Sequence, residues 1–135
     1  MTPKIGVIGI YVRNQDEALE FYADKLGFEV HADVKNGNYR WLTVKSPNQS
    51  DFELGLFVPQ EPTLDDATAQ TMLAMTAKGA AAPLVMVVDD CRAAHAALKA
   101  KGVEFVQEPI ARFGGVDANF RDPSGNAWKL IEARK

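Results

Sequence analysis

The chain repeats itself. Lys25-Leu26-Gly27-Phe28-Glu29-Val30 is echoed by Ala100-Lys101-Gly102-Val103-Glu104-Phe105, and Phe52-Glu53-Leu54 by Trp128-Lys129-Leu130. Around both copies the apolar pattern has the same order: one strand, one helix, then three strands. A repeated βαβββ unit limits the chain to an α+β fold with two like modules. In each module the helix must cover one face of that module's own sheet, because a sheet's apolar face has to be buried.

Local signals set the elements. Ile5 to Val12 alternates as a strand. Asn14 is a helix N-cap, with Glu17 spaced as in a capping box. Ala18, Leu19, Tyr22 and Leu26 form the buried stripe, and Gly27 ends the helix. Strands over Phe28–Val34 and Tyr39–Val44 flank the hairpin signal Asn36-Gly37. Ser46-Pro47-Asn48 turns the chain into a strand over Asp51–Val58. In the second copy, Leu84, Met86 and Val88 share a strand face. Asp89 or Asp90 caps a helix with stripe Cys91, Ala94 and Leu98, and Gly102 ends it. Strands over Val103–Val106, Val116–Arg121 and Ala127–Ile131 follow. Asp122-Pro123-Ser124-Gly125-Asn126 makes the last turn, with Pro123 fixing its φ and Gly125-Asn126 supplying the reversal. The expected organisation is one domain over 1–135. Module one spans 1–58 and module two 84–135. Between them, 59–83 is a linker or lid with a short helix near 67–76.

Bulk properties exclude several classes. The 135 residues suffice for a real core, and a net charge of −3 offers no basic face for nucleic acid. One cysteine, Cys91, excludes an internal disulfide and fits a reducing compartment. No apolar run reaches the roughly 18–20 residues of a membrane span, and no secretory signal is visible. The expectation is a cytoplasmic protein with no membrane or nucleic-acid partner.

Period-2 alternation divides each sheet. The more apolar parity, Ile8, Leu42, Leu54, Leu84, Phe120 and Leu130, is expected under the helices. The other parity carries Val7, Trp41, Thr43, Glu53, Phe57, Pro83, Asn119, Arg121 and Lys129. Its mixture of aromatic and charged groups suits a ligand hollow better than a core.

Taken in order, several motifs resemble one superfamily. In the first module they are Tyr11-Val12, Ala18-Leu19-Glu20-Phe21-Tyr22 and Leu26-Gly27-Phe28-Glu29-Val30. In the second they are Val88-Asp89-Asp90, Ala93-Ala94-His95, Gly102-Val103-Glu104-Phe105 and Phe120 to Asn126. The chain is similar to the vicinal oxygen chelate superfamily, which includes glyoxalase I, bleomycin-resistance proteins and extradiol dioxygenases. The resemblance implies paired βαβββ modules, curved mixed sheets around a cavity, and a homodimer.

It also implies where a divalent metal would be held: on the first and last strands of each module, by His, Gln or Glu. Those positions are here Val7 and Glu53, then Pro83 and Lys129. Val7 and Pro83 have no donor atom, and an ammonium has no lone pair. No metal and no other cofactor is therefore expected. Glu53 and Lys129 instead face the hollow, as an ion pair or as polar ligand contacts, or else as solvated strand-end charges.

Trp41, Phe57 and Phe113 suit stacking on a flat ligand or ordinary packing. Arg121 suits a bidentate grip on an acidic group, or a brace to Asp117 or Asp122. His95 reads as a half-buried helix residue and Cys91 as an inert thiol. His31 falls near the hollow. Gly114-Gly115 lacks the following helix of a phosphate loop and reads as a bend. The functional expectation is a metal-independent protein that binds a small aromatic or amphipathic molecule through Trp41, Glu53, Phe57, Phe113, Arg121 and Lys129, for sequestration or carriage. The alternative is a glyoxalase-like lyase, isomerase or dioxygenase with an atypical site.

Overall fold

The structure, a computed structural model, describes residues 1–132. Eight strands form two four-stranded mixed sheets. The first holds β1 (Val7–Tyr11), β2 (Glu29–Asn36), β3 (Tyr39–Lys45) and β4 (Glu53–Phe57) in the order β1-β4-β3-β2. The second holds β5 (Leu84–Val88), β6 (Glu104–Arg112), β7 (Gly115–Arg121) and β8 (Ala127–Glu132) in the order β5-β8-β7-β6. In each sheet the module's first strand pairs in parallel with its last, and the other pairings are antiparallel. The helices are α1 (Gln15–Leu19), which continues as a π-helical stretch over Glu20–Lys25, α2 (Asp66–Ala77) and α3 (Cys91–Ala100). The α+β class and the repeated βαβββ order match the sequence reading. Contacts divide the chain into compact units Met1–Ala74 and Met75–Lys135.

Capping chemistry starts the helices. The Asn14 side chain accepts from the Glu17 N–H at 2.8 Å, and Asp90 accepts from the Ala93 N–H at 3.0 Å. The second half of the expected capping box is absent, because the Glu17 carboxylate is taken by Arg13 at 2.7 Å. Gly27 leaves the first helix at φ +79°, a conformation that a Cβ disfavours.

Burial follows the predicted parity. In the first module Ala18, Phe21 and Tyr22 are buried with Val12, Leu42, Val44, Leu54 and Leu56. In the second, Cys91 and Val103 are buried with Ala118, Phe120, Trp128 and Leu130. Three residues depart from that parity: Ile8 lies exposed, Leu84 is only half-buried, and Thr43, of the other parity, is fully buried.

Several expected boundaries need correction: β2 runs on to Asn36, and β4 covers only Glu53–Phe57 of the expected Asp51–Val58. The first strand begins at Val7, not Ile5. The strand expected over Val103–Val106 runs as β6 to Arg112, through Pro109. It tolerates a proline because it is the sheet edge, where a missing N–H breaks no ladder bond. Register shifts between Phe105 and Gln107, and between Gln107 and Ile110, absorb the irregularity.

The β7–β8 turn is held by one carboxylate. Asp122 Oδ1 accepts from the N–H groups of Ser124 and Asn126, both at 2.9 Å, and Oδ2 accepts from Asn126 Nδ2 at 2.8 Å. Gly125, at φ +103°, lies against the end of α2, where a Cβ would stand 2.5 Å from the Thr76 carbonyl oxygen and 2.6 Å from Ala77 Cα. Among the described residues no helix is long and apolar enough to cross a membrane.

Candidate functional site

Each sheet turns one face away from its helix, and Trp41, Glu53, Phe57 and Lys129 lie on these open faces. In the first module Val7 pairs with Glu53, Gly9 with Gly55 and Tyr11 with Phe57. The Phe57 ring folds back over the glycine pair. A Cβ on Gly9 would stand 2.6 Å from the ring, and one on Gly55 would collide with it outright. Trp41 tilts onto Phe57, with centroids 4.9 Å apart and planes at 38°. The result is an aromatic floor with one exposed edge.

Glu53 stands beside this floor. It accepts from the Thr43 hydroxyl at 2.7 Å, and His31 Nε2 lies 3.8 Å away. His31 reaches it because the β2 register shifts between Val30 and Ala32. A smaller cavity of about 230 Å³ lies against Tyr11, Tyr39 and Phe57 under the segment from Val58 to Leu64.

The open face of the second module carries a different arrangement. Asp117 is gripped through both oxygens by Arg112, Nε to Oδ2 and Nη2 to Oδ1, each at 2.8 Å. Gln107 adds a donor at 3.2 Å to Oδ1, and Asn119 donates to the Gln107 side-chain oxygen. The Arg112 guanidinium holds the Asp117 carboxyl well below the usual carboxylate range. Lys129 Nζ stands 3.6 Å from Asp117 Oδ1. These groups border a cavity of about 620 Å³ whose apolar walls are Val87, Phe113, Val116 and Ile131. Phe113 projects from the β6–β7 hairpin at φ +52°, an uncommon conformation for a bulky residue.

Register corrects one expected position. The residue paired with Lys129 is Val85, the counterpart of Val7 opposite Glu53. Pro83 precedes β5 and does not pair with Lys129. The chemistry of the position is unchanged, since valine offers no donor atom either. Two valines, one ammonium and one carboxylate do not fit a divalent ion that needs about three protein ligands. Among the described residues no group of three or more His, Cys, Asp or Glu converges for such a site.

The other candidates fall as follows. Trp41 and Phe57 come together; Phe113 and Lys129 share the second-module cavity. Arg121 is directed to the end of α2, where Nη1 donates to the Ala77 carbonyl at 3.5 Å and Nε has no partner among the described residues. That brace is to a helix carbonyl, not to Asp117 or Asp122 as expected from sequence. His95 is half-buried against Phe105, with ring centroids 4.5 Å apart. Cys91 is buried with its Sγ 3.7 Å from the Leu130 carbonyl, and burial pushes its thiol up. Sequence reasoning missed Arg112, Val87 and Ile131. The period-2 signal was available for Val87 and Ile131, which share Lys129's parity, but none marked Arg112.

Comparison with known proteins agrees with the architecture. The sequence model described as Glyoxalase/Bleomycin resistance protein/Dioxygenase superfamily matches residues 4–130. YurT of Bacillus subtilis (strain 168) is 36% identical over 129 residues, spanning 96% of this chain and 98% of its own. The crystal structure of UcmS2 superposes with a TM-score of 0.92 at 38% identity, covering 98% of this chain and 100% of that one. That of TnmS3, an antibiotic binding protein from Streptomyces sp. CB03234, superposes with a TM-score of 0.76 at 28% identity, covering 98% of each chain.

Proposed function

We propose that this chain, which belongs to the glyoxalase/bleomycin resistance protein/dioxygenase superfamily, is a metal-independent protein that binds a small, partly aromatic molecule for sequestration or carriage. The observation that carries the reading is Lys129. An ammonium stands where the superfamily would place a metal-ligating carboxylate, and it opens onto a largely apolar cavity. The aromatic floor of Trp41 and Phe57, with Glu53 beside it, offers a second surface of the same character. The likeness to TnmS3, an antibiotic binding protein, supports a binding role. On this reading Arg121 contributes by fixing the end of α2, and the protein works as a cytoplasmic homodimer.

The test is elemental analysis beside a thermal-shift screen. The expected result is no stoichiometric metal, no rise in melting temperature with divalent ions, and a rise with planar organic compounds. A stoichiometric ion, or a rise with a divalent metal, would overturn it.

One observation favours a second reading. Glu53 lies between the Thr43 hydroxyl and His31, an arrangement suited to metal-free acid–base chemistry in a lyase or isomerase. Turnover of a small carbonyl compound that Glu53→Gln abolishes would establish that reading.

A further inference from the structure

We propose that the second-module cavity selects molecules carrying a negative charge beside a planar apolar body, and that Lys129 reads the charge. This rests on the binding reading above and specifies its ligand.

Lys129 carries a charge that its neighbours do not match. Asp117 has one negative charge to share between Arg112 and Lys129, and Arg112 holds both of its oxygens at 2.8 Å. Gln107 takes a further position on Oδ1. Lys129 is left at 3.6 Å, beyond hydrogen-bond distance, and makes no hydrogen bond among the described residues. Its side chain is 42% exposed, with three N–H donors to offer.

The other acidic residue at the cavity, Glu132, does not balance it. Its carboxylate accepts from the Cys91 N–H at 3.0 Å, at the start of α3, where a helix N-terminus favours negative charge. The cavity lining therefore carries Arg112 and Lys129 against Asp117 and Glu132, but Asp117 is engaged by Arg112 and Glu132 by the start of α3, which leaves Lys129 as the cation without a hydrogen-bonded counter-charge. Around them Val87, Val116, Ile131 and Phe113 supply apolar walls, which strengthen an ionic contact by excluding water. A carboxylate, sulfonate or phenolate on a flat ring system matches both parts. A cationic ligand meets repulsion, and a neutral one gains only the walls.

A matched pair of dyes tests this on the full chain. Anilinonaphthalene sulfonate joins a flat naphthalene ring to an anionic sulfonate; phenylnaphthylamine is the same ring system without the sulfonate. The wild type is expected to bind the sulfonate about tenfold more tightly, a margin that charge-assisted hydrogen bonds supply. High salt should narrow that margin. Lys129→Met should bring the two dyes to within about twofold of each other by weakening only the sulfonate. Asp117 keeps Arg112 in that variant, so the fold should persist, which a urea melt checks. Lys35→Met, an exposed change on β2, should retain the preference. Equal affinities in the wild type, or a preference that survives Lys129→Met, overturn the charge selection and leave the binding reading standing. If neither dye binds, the binding reading fails and this inference falls with it.

Discussion

Two pairs of residues occupy the same place in the two sheets. Gly9 opposes Gly55 where β1 meets β4, and Val87 opposes Ile131 where β5 meets β8. In the first module the missing side chains leave room that Phe57 fills by lying flat on the backbone. In the second the β-branched pair forms a wall, and the space above it stays open as the larger cavity. The turns differ in the same sense. The link from β3 to β4 is an exposed run from Ser46 to Asp51, whereas β7 and β8 are joined by a buried turn closed by Asp122. One backbone plan thus yields a floor in one module and a pocket in the other, through changes at a few positions.

Several substitutions would break or sharpen this contrast. The largest effect is expected at the buried turn. Gly125→Ala places a Cβ on α2 backbone that cannot swing away, at a φ that alanine disfavours. It should cost about 3 kcal/mol or more in a urea melt. A neutral result would mean that the turn does not press on α2. Gly55→Val, which imports the second module's wall into the first, should cost about 1–3 kcal/mol by evicting Phe57. The emission of Trp41 should shift as its stacking partner leaves. The reverse change, Val87→Gly, should cost less than about 1 kcal/mol, since Val87 packs under no ring and is 61% exposed. Equal costs would erase the distinction between floor and pocket.

Acid should act on the second module through Asp117. Its carboxyl is depressed in the folded state, so the stability it contributes is complete above its unfolded value of about 3.9. That contribution is lost as the pH falls further, toward the folded value. Asp117→Asn should therefore be less stable than wild type at neutral pH, and the gap should close in acid. A gap that is independent of pH would remove the carboxylate from the account. A gain in stability, not a loss, is expected at the hairpin tip. Phe113→Gly relieves a left-handed conformation and should gain about 1 kcal/mol, while planar dyes bind more weakly. Unchanged dye affinity would take Phe113 out of the pocket.

Short-range chemistry was legible in the sequence. Asn14, Asp90, Gly27 and Gly102 each act through neighbours within a turn, and such signals survive any tertiary arrangement. Alternation placed Glu53 and Lys129 on the open faces for the same reason. It failed in register at Pro83, two residues before Val85, because parity fixes the face but not the partner. β6 extends to Arg112, beyond the expected Val106; Pro109 resembles a strand end unless the strand is known to be an edge. The Arg112–Asp117 pair crosses a hairpin from an irregular strand, where period-2 counting no longer tells which side chains meet. His31 reaches Glu53 through a similar register shift.

The lone sulfhydryl of Cys91 has a use that follows from its burial. It is fully enclosed within the second unit, and burial keeps it protonated. A colourless disulfide or maleimide reagent can modify it only when that unit opens. The labelling rate, followed by mass spectrometry against urea concentration, would then report the opening free energy of one half of the protein. The other half, which contains no cysteine, would remain silent.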